Sequence, residues 1–198
     1  MINFKSKKYN RPLNRLKDIY IQSKDIGQKN IEALYLSTCG RDLKPTSRLI
    51  NIKYITETSL VFFSNYDSKK AEDIKYNKNI SGVFFWNNIN VQIRLEGIIN
   101  KLDPIESNEY FAQRSLEKNI LAISSSQSNI IKSYDEVVKK YNNVKNNEHA
   151  ITKRPSYWGG YEIKPNFYEF WYGHKNRLNK RVAYKYENDN WNKFYLEP

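Results

Sequence analysis

The first apolar pattern along the chain is helical. Between Pro12 and Gly27 the apolar residues recur every three or four positions, at Leu13, Leu16, Ile19 and Tyr20. Proline is favoured in the first turn of a helix, and glycine often follows the last turn. The pattern therefore predicts a helix that begins near Pro12 and ends near Gly27, after a basic and loose segment at residues 1–10.

From residue 31 the spacing becomes that of short β-strands. Segments rich in β-branched and aromatic residues are separated by polar turns, at 31–40, 47–55, 60–64 and 80–86. A polar stretch at 68–79 predicts one short helix among them. In the next segment, 91–102, apolar and polar residues alternate from Val91 to Glu96, which is typical of a strand with one buried face.

Two capping boxes predict two further helices. Asp103 is followed three residues later by Glu106, so the segment 103–114 should begin a helix at this point. Ser133 begins a second box, and the pattern predicts a helix over 133–146.

The C-terminal part returns to strands. A polar loop over 146–156 precedes four aromatic segments, at 161–165, 167–173, 181–187 and 191–198, and a turn at 188–190 joins the last two. About eight short strands with three or four helices at the side predict an α+β fold built on a closed antiparallel barrel.

The length of 198 residues fits a single domain, which we expect over 11–198. No apolar run exceeds four residues, whereas a membrane helix needs about 20. The N-terminus has no hydrophobic signal stretch, so the sequence predicts a soluble, cytoplasmic protein with no membrane partner. A single cysteine, Cys39, and two histidines exclude an internal disulfide and a zinc site made of Cys and His.

The chain is strongly basic, with 33 Lys and Arg against 21 Asp and Glu. Such a charge can indicate a nucleic acid, an anionic surface or phosphorylated ligands. Here 24 of the cations are Lys and 9 are Arg, no long basic block occurs, and 25 Asn accompany them, a composition that A+T-rich codons favour. A solvated Lys-rich surface is therefore favoured over a nucleic-acid face, and the rarer Arg positions are more informative.

Glycine-rich phosphate cradles are excluded by the sequence. The chain has seven glycines and lacks the P-loop, dinucleotide-binding and nucleophile-elbow motifs. His149 falls in the predicted polar loop and His174 in a turn next to Gly173, so exposure is favoured over a role as base or ligand for both. A bound phosphate must therefore be held by side chains.

Suitable anion-holding side chains lie at two places. Arg48 and Lys53 bracket one predicted strand, and Ser68, Lys69 and Lys70 begin a predicted helix whose free backbone N–H groups favour an anion. Arg48 and Lys53 have opposite parity on an ideal strand, so one ligand can meet both only at a bulge or with help from a partner subunit. Together these groups suit a dianion.

Six stretches, in this order and spacing, closely resemble the pyridoxamine 5'-phosphate oxidase family, which has an FMN-binding split-barrel fold. They are RLINIK at 48–53, FFSNYDSKKAEDI at 62–74, NVQIRLEG at 90–97, YFAQRS at 110–115, SSSQS at 124–128 and RPSYWGGYEIKPNFYEFWYGHKNRLNKR at 154–181. The last stretch is the most specific of the six.

The resemblance implies a homodimer with FMN in the groove between the subunits, so that residues 11–198 form one FMN-binding domain, and it implies no metal. It assigns FMN to Arg48, Lys53, Phe63, Ser64, Lys69, Lys70, Gln92, Gln127, Ser128, Trp171 and Arg181. It assigns a phosphorylated substrate to Lys53, Tyr110, Arg114, Lys118, Arg177 and Asn179, of which Arg177 and Asn179 are the catalytic candidates. The helical spacing of Tyr110 and Arg114 agrees, because residues four apart share one helix face.

The implied reaction is oxidation of pyridoxamine or pyridoxine 5'-phosphate to pyridoxal 5'-phosphate, with oxygen as the electron acceptor. The flavin carries the redox chemistry, so the protein needs only to orient the substrate and hold its phosphate.

Three positions depart from the family's pattern. Asn179 stands where the family has His, Lys118 where it has Ser, and Tyr172 where it has Gln. A neutral Asn cannot take up a proton as His can, so the resemblance does not extend to a base for oxidation of the alcohol at this position. The alternatives are a related split-barrel flavin oxidoreductase with a non-B6 substrate, a flavin-storing protein without turnover and, less favoured, a basic nucleic-acid-binding β-domain.

Overall fold

The computed structural model describes residues 1–147 and 153–198, so His149 and part of the predicted polar loop lie outside the described residues. The described helices are α1 (Arg11–Asp25), α2 (Lys69–Tyr76), α3 (Pro104–Ala112), α4 (Leu116–Ser124) and α5 (Tyr134–Lys145), with a short 3-10 helix at Asn87–Ile89. The described strands are β1 (Asn3–Phe4), β2 (Ala33–Cys39), β3 (Pro45–Asn51), β4 (Tyr54–Ile55), β5 (Leu60–Asn65), β6 (Asn79–Trp86), β7 (Val91–Lys101), β8 (Trp158–Tyr172), β9 (Lys180–Glu187) and β10 (Asn190–Leu196).

The ten strands form one curled sheet. Its main path runs β1-β4-β5-β8-β7-β6-β2-β3, and β9 and β10 branch from β8. The pairings are antiparallel apart from that of β1 with β4. The predicted α+β class is confirmed, but the closed barrel is wrong, since β3 ends the path with β2 as its hydrogen-bonded neighbour. The sheet is a half-barrel that remains split between β3 and β5.

The two strands predicted at 161–165 and 167–173 are one 15-residue strand, β8. Asn166 is an extra residue in this strand, because its neighbour β7 has no residue opposite it. Proline cannot donate a ladder hydrogen bond and is tolerated beside such a bulge, which explains Pro165. Gly97 faces Pro165 there, and a Cβ on Gly97 would lie 2.4 Å from a backbone carbonyl oxygen of β8.

The bulge changes which residues of β8 point into the core. Tyr161 and Ile163 are buried before it, and Tyr168 and Phe170 are buried after it, so the buried positions change from odd to even numbers. Trp171 consequently lies on the outer face of the sheet, which a strand without a bulge would turn inward.

Helix α1 covers the inner face of the sheet. The predicted helix is confirmed: the Asn10 side chain accepts a hydrogen bond from the Leu13 backbone N–H, and Gly27 follows the helix with a φ of +75°. Leu13 and Leu16 are fully buried, and the ring of Tyr20 packs edge-on against that of Trp86 in the main hydrophobic core.

The prediction of a loose segment at 1–10 is contradicted by the structure. Asn3–Phe4 forms β1, and both Ile2 and Tyr9 are 6% exposed. The Tyr20 hydroxyl accepts a hydrogen bond from the Ile2 backbone N–H. The many basic residues of this segment favoured the prediction of a loose terminus. Its few apolar side chains are buried, and their burial holds the segment on the domain.

The capping boxes locate two helices correctly, and the three other described α-helices have no such signal. Asp103 accepts a hydrogen bond from the Ile105 backbone N–H at 2.6 Å at the start of α3, whereas Ser133 precedes α5 without a side-chain cap bond. Helix α4 was not predicted, because Ser115 before it is not followed by the Glu or Gln of a capping box. Among the described residues, no helix combines the length and the apolarity needed to cross a bilayer.

Replacing Tyr9 by Ala should lower the free energy of unfolding by ~3 kcal/mol, because it removes a buried aromatic ring. The ring packs edge-on against Phe4, and its hydroxyl accepts a hydrogen bond from the Ser6 backbone N–H. Lys8→Ala, which changes an exposed neighbour, is the matched control. Urea unfolding followed by tryptophan fluorescence measures both variants, and equal stabilities would show that the N-terminal segment does not support the fold.

Candidate functional site

A cavity of about 710 Å³ lies at the split between β3 and β5. Residues 48–51 are consecutive and all line it, so the free edge of β3 forms one wall. The other walls come from β5, α2, α3 and the chain around α4. The cavity brings together eleven of the predicted site residues: Arg48, Lys53, Phe63, Ser64, Lys69, Lys70, Tyr110, Arg114, Lys118, Gln127 and Ser128.

Lys70 is the buried cation of this cavity. Its Nζ donates hydrogen bonds to Ser64 Oγ, Ser68 Oγ and Gln127 Oε1, each at 2.9 Å. Burial, followed by the nearby charge of Arg48, lowers the pKa of Lys70 to about 8. Lys70 makes no ion pair with a carboxylate among the described residues, so its charge is met only by neutral oxygen atoms. An anion bound beside Lys70 would therefore gain a strong charge-assisted contact.

Arg48 and Lys69 lie on the same side of the cavity as Lys70. The Arg48 guanidinium is half-buried on β3, and burial lowers its pKa. Lys69 is exposed and pairs with the buried Asp73, one helical turn further along α2, at 2.5 Å between Nζ and Oδ1. We call Arg48, Lys69 and Lys70 the first cation group.

Lys53 reaches the same cavity because the chain changes neighbours just before it. The Ile52 backbone N–H donates to the Glu32 carbonyl beside β2, whereas the Lys53 N–H donates to the Val61 carbonyl of β5. The ideal-strand parity that separates Arg48 from Lys53 ends at this crossing. Neither a bulge nor a partner subunit is needed to bring the two residues to one cavity.

Lys53, Arg114 and Lys118 form a second cation group. Arg114 lies over the Trp158 ring, 4.3 Å from its centroid, and donates from Nη2 to the Lys118 carbonyl oxygen. Its Nε is buried without a hydrogen-bond partner among the described residues. Burial, together with the charges of Lys118 and Arg114, lowers the pKa of Lys53. Clustered cations with a free donor are what an anionic ligand would complement.

Stacked aromatic rings form the remaining wall of the cavity. The Phe63 and Tyr110 rings are parallel, with centroids 3.7 Å apart, and Phe63 also stacks on Trp158. Burial raises the pKa of the Tyr110 hydroxyl, so it remains a neutral hydrogen-bond donor at neutral pH.

Gln127 and Ser128 reach the cavity on the segment that follows α4. Gln127 Oε1 accepts from both Lys70 Nζ and Ser64 Oγ, which ties this segment to α2 and β5. Ser128 has a φ of +76°, a left-handed conformation that residues other than glycine adopt at a cost. Such conformations cluster at ligand-binding sites.

Five predicted site residues lie outside this cavity. Three of them are neighbours on the outer face of the sheet, since Gln92 is opposite Trp171 and Trp171 is opposite Arg181. The buried Glu169 fixes Arg181 by accepting from its Nε at 2.6 Å, and it also accepts from Arg94.

Arg177 and Asn179 lie in the loop between β8 and β9. Asn179 Oδ1 accepts the His174 backbone N–H at 3.0 Å, and Arg177 has a φ of +61°. Asn179 thus shapes the loop, and the catalytic roles of Arg177 and Asn179 stay predictions. His174 is exposed, as predicted, and its Nδ1 accepts the Asn176 backbone N–H.

The departure at Tyr172 has a structural explanation. Its hydroxyl accepts a hydrogen bond from Arg15 Nε of α1 at 3.0 Å, and the Arg15 guanidinium also lies near the Phe170 ring. Tyr172 therefore joins α1 to β8 instead of lining the cavity.

Sequence reasoning missed the residues that support the site. Asp73, Glu169 and Trp158 contact predicted site residues without having been singled out. The four-residue spacing of Lys69 and Asp73 on a predicted helix is a signal that could have found one of them. The other two contacts join residues far apart in the chain, so no local pattern indicates them.

Comparison with protein families gives two matches. A family model described as pyridoxamine 5'-phosphate oxidase matches residues 28–148, and one described as the pyridoxine 5'-phosphate oxidase C-terminal dimerisation region matches residues 158–198. Similar proteins include the pyridoxine/pyridoxamine 5'-phosphate oxidase of Leptospira biflexa, 35% identical over 180 residues that cover 90% of this chain and 85% of that protein. The protein of the same name from Cytophaga hutchinsonii is 37% identical over 180 residues, 89% of this chain and 84% of its own.

Solved structures share the fold. PhzG from Burkholderia lata 383, in complex with tetrahydrophenazine-1-carboxylic acid, superposes with a TM-score of 0.90 at 22% identity over 97% of this chain and 95% of its own. A pyridoxamine 5'-phosphate oxidase-related, FMN binding protein from Nostoc punctiforme gives a TM-score of 0.75 at 14% identity over 94% of this chain and 98% of its own. The predicted split-barrel architecture is thereby confirmed.

Lys70→Met should change how the stability of the ligand-free protein depends on pH. The pKa of Lys70 is about 8 in the folded protein against an ordinary value of 10.5. Between these pH values the unfolded chain binds more protons at this residue, so its contribution makes the free energy of unfolding rise with pH. The variant should lack that rise, while the exposed control Lys75→Met should keep it.

Urea unfolding at intervals from pH 7.5 to pH 10.5 measures the effect as a difference between profiles. Parallel profiles for the unmodified protein and Lys70→Met would contradict a lowered pKa at Lys70.

Proposed function

The chain belongs to the pyridoxamine 5'-phosphate oxidase family of FMN-dependent oxidoreductases, and we propose that it converts pyridoxamine 5'-phosphate to pyridoxal 5'-phosphate. In the balanced reaction the amine, oxygen and water give the aldehyde, ammonia and hydrogen peroxide. Pyridoxine 5'-phosphate is the second candidate substrate.

The observation that carries this proposal is the presence of two cation groups in one cavity. The reaction requires two phosphate-bearing molecules, the cofactor and the substrate, to bind in one cavity, and each phosphate needs its own cations. The first group surrounds Lys70 and the second surrounds Arg114. A cavity with one cation group would suit FMN but leave the substrate phosphate without a partner.

We assign the FMN phosphate to the first cation group and to Ser64. Lys70 fits this role because it is a buried amine that donates only to neutral oxygens. Gln127 and Ser128, which line the same cavity, would complete this side, and Lys53 and Phe63 would border the flavin ring. The chemistry that FMN supplies when bound is acceptance of a hydride from the C4′ carbon, with later transfer of both electrons to oxygen.

We assign the substrate phosphate to the second cation group and Tyr110. The stacking of Tyr110 on Phe63 fixes the ring, so its hydroxyl can donate without a further loss of side-chain freedom. Lys118 replaces a short hydroxyl side chain with a point charge on a flexible stem, which adds attraction for a dianion but less directional bonding.

We infer that the remaining residues act across a homodimer interface. The matched dimerisation region, 158–198, contains Trp171, Arg177, Asn179 and Arg181. Gln92 shares the sheet face of Trp171 and Arg181, and so do exposed apolar side chains that a partner would cover: Tyr35, Leu49 and Phe85. In this arrangement each cavity receives its second half from the other subunit.

Arg177 would cover the pyridine ring of the substrate, and Asn179 would lie beside C4′. An amine can release a proton to water near neutral pH, whereas an alcohol benefits more from a positioned base, which Asn179 does not supply. The amine is therefore the preferred substrate in this proposal.

The nucleic-acid alternative is disfavoured by burial. Within the aromatic segment at 167–173, Tyr168 and Phe170 are both fully buried. They are therefore not available for stacking on bases.

The purified protein with FMN should produce pyridoxal 5'-phosphate and hydrogen peroxide from pyridoxamine 5'-phosphate. Its kcat/KM for the amine should exceed that for pyridoxine 5'-phosphate, and Asn179→His should raise the alcohol rate selectively, since general-base help is typically worth roughly 100- to 10,000-fold. Leu178→Ala, an exposed neighbour in the same loop, is the matched control.

Two results would count against this proposal. FMN binding without turnover of either substrate would favour a shifted substrate or a flavin-storing role. Equal rates for both substrates, unchanged by Asn179→His, would show that position 179 does not discriminate between them.

Complementation tests whether each cavity is shared between subunits. Arg48→Ala and Arg181→Ala alter the two proposed halves, so each variant alone should bind FMN poorly and turn over slowly. Co-expression with two different tags allows purification of the mixed dimer, in which one cavity has both halves intact. Its activity should be about half that of the unmodified dimer. A mixed dimer as inactive as its parents would exclude a shared site.

A further inference from the structure

Asp73 on α2 is a buried carboxylate beside the first cation group. It is fully buried and is not among the residues that line the cavity, whereas Lys69 and Arg48 are. Its Oδ1 pairs with Lys69, and its Oδ2 accepts hydrogen bonds from Thr38 Oγ1 at 2.8 Å and Thr46 Oγ1 at 3.1 Å. Both carboxylate oxygens therefore have partners.

The same two hydroxyl groups hold Arg48. Thr38 Oγ1 accepts from Arg48 Nη1 at 2.7 Å, and Thr46 Oγ1 accepts from Nη2. Nη1 also donates to the Leu36 carbonyl oxygen. A hydroxyl has one hydrogen, so donation to Asp73 turns the lone pairs of each threonine toward Arg48. Asp73 thus sets the direction of two hydrogen bonds that it does not itself make.

We propose that Asp73 is a positioning residue for phosphate binding, which aims Arg48 through Thr38 and Thr46 and holds Lys69 directly. The inference rests on the proposed assignment of the FMN phosphate to this cation group. Three of the five N–H groups of Arg48 are used inside the protein by these contacts. The others are left to meet a ligand, with the guanidinium plane already fixed.

The fold leaves room for this carboxylate at Gly40, between β2 and β3. A Cβ on Gly40 would lie 2.6 Å from Asp73 Oδ1. Since that contact is too short for real atoms, a side chain at position 40 would push Asp73 away from Lys69. Glycine at this position therefore leaves the carboxylate free to keep its contact with Lys69.

The sign of the effect makes the proposal testable. By charge alone, a carboxylate near a bound phosphate repels it, so Asp73→Asn would tighten FMN binding. If Asp73 acts by positioning, Asp73→Asn weakens binding, because the amide NH₂ must face either the two threonine hydroxyls or the Lys69 ammonium. Facing Lys69, the amide opposes a donor with a donor. Facing the threonines, it makes each hydroxyl an acceptor at this position, so the hydroxyl hydrogen must turn away and no longer fixes the direction of the lone pairs toward Arg48.

The experiment compares the affinity of the full chain for FMN and for riboflavin, which lacks the phosphate, by quenching of flavin fluorescence. Asp73→Asn should weaken the affinity for FMN roughly ten- to hundredfold, which corresponds to the loss of about one charge-assisted hydrogen bond. It should leave the affinity for riboflavin unchanged. Glu72→Gln, which is exposed and makes the same charge change on the same helix, should alter neither affinity.

A second variant separates positioning from folding. Thr46→Val removes one intermediary at a partly exposed site and leaves the ion pair of Asp73 with Lys69 in place. Thr46→Val should weaken the binding of FMN and leave the binding of riboflavin unchanged. The double variant with Asp73→Asn should lose less FMN-binding free energy than the sum of the two single losses.

Tighter or unchanged FMN binding in Asp73→Asn, equal losses for FMN and riboflavin, or additive losses in the double variant would each overturn the positioning role. These outcomes differ from a failure of the proposed assignment of the FMN phosphate to the first cation group, in which the unmodified protein would not distinguish FMN from riboflavin at all.

Discussion

β3 and β5 lie next to each other without exchanging backbone hydrogen bonds, and the cavity occupies the gap between them. An unpaired strand edge presents N–H and C=O groups that need partners. Here the edge becomes a wall whose side chains reach a ligand-sized space. Pairing these two strands would close the barrel and eliminate the gap, so the same hydrogen bonds that would complete the sheet would remove the site.

The gap also explains how so many cations coexist in one place. Lys70 is 7% exposed and is surrounded by hydroxyl and amide oxygens, which solvate its charge without cancelling it. A carboxylate in the same position would neutralise the charge of Lys70 and repel a bound anion. The protein keeps its carboxylates one layer further away, as with Asp73 behind Lys69 and Glu169 behind Arg181. Local stability is given up where ligand binding is needed.

Local patterns in the sequence predicted what depends on local physics. The alternation along β7 and the cap at Asp103 involve residues within a few positions of one another, and both were right. The parity argument for Arg48 and Lys53 failed because the chain changes neighbours at Ile52, an event that belongs to the sheet and not to the strand. The contacts of Asp73 with Thr38 and Thr46 join β2, β3 and α2, so no spacing along the chain indicates them.

The bulge at Asn166 acts as a phase shift in the longest strand of the molecule. The first half of β8 supports a cavity residue, because the ring of Trp158 packs against Arg114, and the second half carries Trp171 on the outer face. Without the extra residue, the side chains beyond it would exchange faces, so that Trp171 and Glu169 would enter the core and Phe170 would meet the solvent. One inserted residue thus lets a single strand support the cavity at one end and place Trp171 on the outer face at the other. The position of this residue matters more to the architecture than its side chain does.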